Sequence, residues 1–85
     1  MYQVIIKREA LKELKILPRT IVIAISKSIE ELSVDPRPAG CKKLKGNNGN
    51  LWRMRVGNYR IIYIVDDIVR IVNVRKIGHR KDVYD

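Results

Sequence analysis

The stretch that decides the fold is residues 52–63, WRMRVGNYRIIY, in which two extended segments flank Gly57 and Asn58. A Gly-Asn pair between such segments is typical of a two-residue β-hairpin turn, because both residues tolerate a positive φ. This turn would place Arg55 directly opposite Arg60. Because side chains alternate between the two faces of a strand, the hairpin then has one apolar face and one basic face.

The apolar face of this hairpin carries the bulky residues, and we expect it to pack against helices. Its members are Trp52, Met54, Val56, Tyr59, Ile61 and Tyr63. The basic face carries Arg53, Arg55 and Arg60. If Asp66 and Asp67 form the next turn, the following hairpin places Asn73 opposite Arg60 and adds Arg75 to the basic face.

The segments around this hairpin predict a mostly antiparallel sheet. Residues 59–65 and 68–74 are its most clearly patterned strands, and residues 2–7 and 42–45 have the composition of short strands. Residues 46–50, GNNGN, are turn formers.

Two amphipathic helices separate the first strand from the rest. In residues 8–17, apolar residues recur every three or four positions, and Pro18 predicts a corner before a second helix that extends to about Ser33. The order is strand, two helices, three main strands, which is an α+β domain covering residues 1–85. Two helices with one apolar stripe each cover one sheet face, so the other face should be partly open.

The charge is strongly basic, with 18 Lys and Arg against 9 Asp and Glu, a net charge of +9. Residues 1–40 hold 7 basic and 5 acidic groups, which leaves 11 basic and 4 acidic groups in residues 41–85. Such a surface favours polyanions, and the second half is where an anion would bind.

The composition argues against several classes of protein. One cysteine, Cys41, forms no internal disulfide, and one cysteine with one histidine does not provide a Cys/His zinc site. The apolar runs are far shorter than the ~20 residues of a membrane span. We therefore expect a soluble, cytoplasmic protein without a metal or cofactor.

Two arginines opposite each other repel, so their pairing needs an explanation. Phosphate groups would provide one, because guanidinium groups present planar donor forks that match phosphate oxygens. The competing interpretation is a solvated, charged face without a ligand. The clustering of several arginines on the face opposite the apolar one favours the phosphate interpretation.

Three segments together resemble the RelE/ParE superfamily of toxins from type II toxin-antitoxin systems, and more closely its RelE branch. They are LKG at residues 44–46, WRMRVGNYRIIY at residues 52–63 and HRKDVY at residues 79–84. The resemblance spans residues 2–84. It implies a RelE-like βααβββ fold and an mRNA interferase that acts in the ribosomal A site, bound and silenced by a cognate antitoxin in a hetero-oligomer.

The resemblance also implies metal-free chemistry, in which the RNA 2′-hydroxyl attacks the adjacent phosphate. By motif position, Arg60 matches the phosphate-stabilising arginine, Arg80 the arginine that aids the leaving group, and Tyr84 the tyrosine that stacks on a base. Arg53 and Arg55 fall where the best-known members carry lysines. Arginine stays protonated at ordinary pH, so Arg55 is not a classical base. Electrostatic stabilisation is our preferred explanation; proton loss to water, a ribosomal group or His79 is the alternative.

The remaining candidates are basic residues that would extend the contact with RNA or the ribosome: Lys43, Lys45, Arg75, His79 and Lys81. Each also has an ordinary structural interpretation. Lys43 and Lys45 have the character of solvated charges at a strand edge, His79 that of a surface residue, and Tyr84 that of a packing aromatic.

Two rival functions remain open. A ParE-like toxin would bind DNA gyrase and cut no nucleic acid. A nucleic-acid binder would use the same arginines to hold phosphates without turnover.

Overall fold

The structure is a computed structural model that describes residues 1–44 and 51–79. Five strands and two helices lie in these ranges. They are β1 (Gln3–Ile6), α1 (Arg8–Lys15), α2 (Arg19–Leu32), β2 (Lys42–Lys43), β3 (Leu51–Val56), β4 (Tyr59–Asp66) and β5 (Ile71–His79). The first helix ends two residues before the predicted bound of residue 17, and the predicted corner at Pro18 is confirmed, because Pro18 is the N-cap of α2.

The strands form one sheet in the order β1-β5-β4-β3-β2. β1 pairs with β5 in parallel, and the other neighbours are antiparallel. A parallel pair needs a long crossover connection, and α1 and α2 lie on the path from β1 back to the sheet. The predicted fold, two helices on one face of a mostly antiparallel sheet, is confirmed.

The buried residues of both helices contact one face of the sheet, which we call the helix-side face. α1 contributes Ala10 and Leu14, and α2 contributes Ile25, Ile29 and Leu32. From the sheet come the buried side chains of Ile61, Tyr63, Val65, Val72, Val74 and Ile77. The apolar face predicted for the first hairpin is therefore the one that packs against the helices.

The first hairpin has the predicted register. Gly57 has φ 60, and Arg55 pairs with Arg60 across β3 and β4 without a register shift. A positive φ at the first turn residue suits a tight hairpin whose twist matches its strands. The local sequence therefore determines this register.

The second hairpin differs from the prediction. β4 continues to Asp66 and β5 begins only at Ile71, so the predicted strand over residues 68–74 begins three residues too early and the predicted turn at Asp66 and Asp67 is wrong. The carboxylate of Asp66 accepts the N–H groups of Ile68 and Val69 at 2.9 and 3.2 Å, and Ile68 is 94% exposed. These hydrogen bonds hold two β-branched residues in a turn despite their preference for strands.

The longer turn changes the pairing of β5. Asn73 lies opposite Ile64 and not opposite Arg60, whose partner is Gly78. A register shift between Ile62 and Tyr63 leaves Arg75 as the extra residue of a β-bulge. The bulge keeps Val74 and Ile77 both in the core, three positions apart.

Candidate nucleic-acid interface

One basic residue of β2 and the basic residues of β3 and β4 share the sheet face that points away from the helices. Arg55 lies directly opposite Arg60, and Arg53 is two residues from Arg55 on the same strand. Lys42 lies opposite Arg53 on β2 and therefore joins the same face. We call Lys42, Arg53, Arg55 and Arg60 the arginine surface.

Burial varies across the arginine surface. Arg53 is 6% exposed, and its cross-strand neighbour Ile62 is 7% exposed, so the centre of this face is not open to solvent. Arg60 is half-buried and Arg55 is exposed. The face is therefore partly open, as predicted, and its accessible arginines lie towards the Gly57 turn.

The pair formed by Arg55 and Arg60 is the central feature of this surface. Like charges directly opposite on neighbouring strands are destabilising by a few tenths of a kcal/mol or more. Gly78, on the other side of Arg60, adds no side chain to the face. Two guanidinium groups on one face can together donate several hydrogen bonds to one phosphate group.

Two predicted site residues lie on the other face of the sheet. Lys43 is opposite Trp52, and His79 is opposite Tyr59, both of which are on the helix side. The rings of His79 and Tyr59 make an edge-to-face contact with centroids 5.4 Å apart. The structure does not bring Lys43 and His79 together with the arginines.

The side chain that sequence reasoning missed is Lys42. The signal that could have identified Lys42 is the alternation of side chains along β2. Because Lys43 lies opposite Trp52, Lys42 lies opposite Arg53 and on the other face of the sheet. A strand of two residues carries too little pattern to assign its faces without knowing its partner.

The bulge in β5 places Arg75 and Lys76 side by side, and both are exposed. The ammonium group of Lys76 donates to Glu13 at 3.0 Å, and the other oxygen of Glu13 accepts the N–H of Ile77 at 3.0 Å. Glu13 thereby links α1 to β5, while Arg75 stays exposed on the bulge. The other predicted residues, Lys45, Arg80, Lys81 and Tyr84, lie outside the described residues.

At the β4–β5 turn, basic and acidic groups are paired. The guanidinium of Arg37 donates to both oxygens of Asp67, at 3.2 and 2.6 Å, and the hydroxyl of Tyr2 donates to Asp67 at 2.6 Å. The hydrogen bond from Arg37, together with that from Tyr2, lowers the pKa of Asp67, and the bond to Asp67 raises the pKa of Arg37. Arg70, with φ 56, lies 5.9 Å above the ring of Tyr2. We call Tyr2, Arg37, Asp67 and Arg70 the Asp67 cluster.

The part of the chain that the structure describes contains neither a candidate metal site nor a membrane-spanning helix. Within residues 1–44 and 51–79, no three His, Cys, Asp or Glu side chains are grouped closely enough to hold a metal ion. Neither of the helices in these ranges is long and apolar enough to cross a membrane.

Comparisons with known proteins agree on one family. The family model described as ParE toxin of the type II toxin-antitoxin system parDE matches residues 4–84. Toxin RelE3 of Methanocaldococcus jannaschii is 37% identical over 87 residues, covering 98% of this chain and 96% of that protein.

Solved structures show the same similarity. The archaeal RelE–RelB complex from Pyrococcus horikoshii contains a chain that matches with a TM-score of 0.84 and 28% identity, covering 96% of this chain and 98% of that one. The isolated E. coli RelE toxin matches with a TM-score of 0.80 and 27% identity, covering 93% of this chain and 84% of that one.

Proposed function

The chain belongs to the RelE/ParE superfamily of type II toxins, and on this premise we propose that it is a toxin that cleaves mRNA in the ribosomal A site and thereby stops translation. The extent of the family match, residues 4–84, supports the proposal that one toxin domain accounts for the activity. The RelE names of its relatives favour the RelE-type activity.

The observation that carries this proposal is the pairing of Arg55 with Arg60 on the sheet face opposite the helices. Like charges directly opposite each other on neighbouring strands do not stabilise the sheet. Two arginines placed side by side can instead bind the negative charge that develops on a reacting phosphate group.

The proposed reaction is a transesterification within the RNA. The 2′-oxygen forms a bond to the adjacent phosphorus, the bond from phosphorus to the 5′-oxygen breaks, and the products are a 2′,3′-cyclic phosphate and a 5′-hydroxyl. Arg60 and Arg55 would stabilise the charged phosphorane, with Arg53 and Lys42 adding to the positive field. The 2′-hydroxyl proton would leave to water or to a ribosomal group, because arginine does not accept it.

Two residues of the tail complete the proposed site. Arg80 would stabilise the negative charge on the departing 5′-oxygen, which then takes up a proton from solvent. Tyr84 would stack on the substrate base and thus hold the 2′-hydroxyl in line for attack. Both assignments come from the positions of these residues in the HRKDVY motif.

A RelB-type antitoxin is the proposed partner. The Pyrococcus horikoshii relative was solved as a RelE–RelB complex. A protein with a net charge of +9 and a growth-arresting activity needs a neutralising partner, and an acidic or amphipathic antitoxin bound to the basic half would supply it. We place both proteins in the cytoplasm, where ribosomes are found.

A ParE-like gyrase inhibitor is the second candidate, because the matching family model is that of a ParE toxin. Such a protein needs no arrangement for stabilising a phosphorane. The arginine surface therefore favours the ribonuclease, and the two activities can be measured side by side.

The test uses purified toxin in two assays. On ribosomes programmed with a defined mRNA, we expect cleavage in the A site and a product ending in a 2′,3′-cyclic phosphate, identified by mass spectrometry. Arg80→Ala and Tyr84→Ala should each slow single-turnover cleavage by roughly 10²-fold, with circular dichroism confirming their folding. Intact mRNA together with inhibited gyrase supercoiling would replace this proposal with the ParE-like function.

A further inference from the structure

A groove lies between the C-terminal end of α2, residues 34–39 and strand β3, with a volume of about 520 Å³. Its apolar lining consists of Val34, Pro38, Ala39 and Met54. Val34 is 72% exposed, although it lies only two residues after the fully buried Leu32. An exposed β-branched side chain beside a proline and a methionine makes a surface suited to one apolar side chain of a partner.

The two ends of the groove carry opposite charges. Glu31 and Asp35 line it on the side of α2, and Arg55 lines it on the side of β3. Within the described residues, neither carboxylate forms an ion pair. Asp35 accepts the N–H of Arg37 at 3.1 Å, which fixes the direction of its carboxylate.

The acidic end argues against nucleic acid as the occupant. RNA phosphates would be repelled by Glu31 and Asp35, whereas the nearby arginine surface attracts them. A peptide can satisfy both ends, because it can present a basic group to the carboxylates and an acidic group or a carbonyl oxygen to Arg55.

We propose that this groove binds a segment of the antitoxin in which an apolar side chain is flanked by a basic residue on the Glu31 side and an acidic residue on the Arg55 side. The inference rests on the toxin-antitoxin pairing proposed above. The groove proposal specifies where on the toxin this segment binds and in which order its basic, apolar and acidic residues lie.

The position of Arg55 gives the groove a role in neutralisation. Arg55 belongs both to the groove and to the arginine surface, where it lies opposite Arg60. A segment bound in the groove therefore contacts one arginine of the proposed site directly. It competes with RNA for Arg55 without having to cover the buried Arg53.

The test compares Glu31→Lys with Glu30→Lys, two exposed neighbours of α2 of which only Glu31 lines the groove. The probe is the antitoxin encoded beside the gene for this chain, with binding measured by isothermal titration calorimetry. Both variants change the net charge equally, so Glu30→Lys reports any general electrostatic effect. We expect Glu31→Lys to raise the dissociation constant tenfold or more, and Glu30→Lys to change it less than twofold.

Two further measurements identify the contact. Asp35→Asn, which keeps an oxygen to accept the Arg37 N–H, should weaken binding in the same direction as Glu31→Lys. Replacing the basic residues of the antitoxin one at a time by Glu should restore binding to Glu31→Lys at one position.

Equal antitoxin affinities of Glu31→Lys and Glu30→Lys would overturn the groove proposal and leave the toxin-antitoxin pairing intact. Tighter RNA binding by Glu31→Lys with unchanged antitoxin affinity would also overturn it, since the carboxylates would then only repel nucleic acid. If the wild-type chain fails to bind the antitoxin at all, the pairing itself is wrong.

Discussion

The β3–β4 turn and the β4–β5 turn use arginine in opposite ways. At the β4–β5 turn, Arg37 donates to both oxygens of Asp67, which also accepts the hydroxyl of Tyr2. At the β3–β4 turn, Arg55 and Arg60 lie directly opposite each other. The first arrangement connects three segments of the chain, and the second opposes folding by like-charge repulsion.

This difference separates structural arginines from candidate functional ones. Arg37 lies 5.2 Å from the ring centre of Trp52 and has its carboxylate partner at 2.6 Å, so its charge is used within the protein. In the proposed function, the pair of Arg55 and Arg60 would direct positive charge towards a phosphate group. We therefore expect substitutions at the β3–β4 turn to change RNA cleavage and RNA binding. Substitutions at the β4–β5 turn should instead change the stability of the fold.

The largest expected effect is on catalysis. Arg60→Ala should lower single-turnover cleavage on programmed ribosomes by roughly 10²-fold, because one donor to the phosphorane is lost. Arg70→Asn removes an arginine at the other turn and keeps a residue type that tolerates the positive φ there, so cleavage should stay within twofold. Equal losses in the two variants would remove the distinction between the turns.

The next effect is on the salt dependence of RNA binding. If about three arginines contact phosphates, affinity for a single-stranded RNA should fall roughly 20-fold between 50 and 200 mM salt. Arg55→Leu should reduce the logarithmic slope by about 0.7, and Arg37→Leu should leave it unchanged. Fluorescence anisotropy at several salt concentrations measures both slopes; a flat profile for wild type would contradict phosphate contacts.

A smaller effect concerns the segment that carries Arg37. The buried hydroxyl of Tyr63 donates to the carbonyl oxygen of Pro36 at 2.8 Å. Tyr63→Phe should lower the free energy of unfolding by about 1–2 kcal/mol, because it leaves that carbonyl without its donor. Urea denaturation measures the loss, and Tyr59→Phe, on the half-buried end of β4, is the control expected to lose less.

The smallest effect is a pH-dependent contribution from Asp67. The Arg37 and Tyr2 hydrogen bonds lower the pKa of Asp67 in the folded protein, so its stabilising contribution is present above the unfolded pKa and disappears as pH falls through the folded value. Asp67→Asn should therefore be less stable than wild type at pH 7, and the difference should shrink below about pH 4. Thermal unfolding at a series of pH values checks this; a difference that grows on acidification would contradict the ion pair.

The first hairpin could be predicted because its determinants are adjacent in the sequence. Gly57 and Asn58 specify a tight turn, and the apolar alternation on both sides specifies which face is buried. The placement of Arg53, Arg55 and Arg60 on one face follows from those two facts. It needed no information about the helices.

The second hairpin could not be predicted in the same way. Ile68 and Val69 have the composition of a strand, yet the carboxylate of Asp66 holds their N–H groups in a turn. The bulge at Arg75 could not be predicted from the hydrophobic alternation either, because one unpaired residue leaves the alternation on both sides of it intact. Register across this hairpin depended on side-chain hydrogen bonds that composition does not reveal.

By itself the sequence determined the order of the elements, the corner at Pro18, the register of the first hairpin and the face shared by its arginines, because turn residues and hydrophobic periodicity act over a few positions. Only the tertiary structure decided that Lys42 and not Lys43 joins those arginines, that His79 contacts Tyr59, and that Arg37 pairs with Asp67. These contacts join residues from different strands and loops. Their geometry depends on how the whole sheet and its helices pack together.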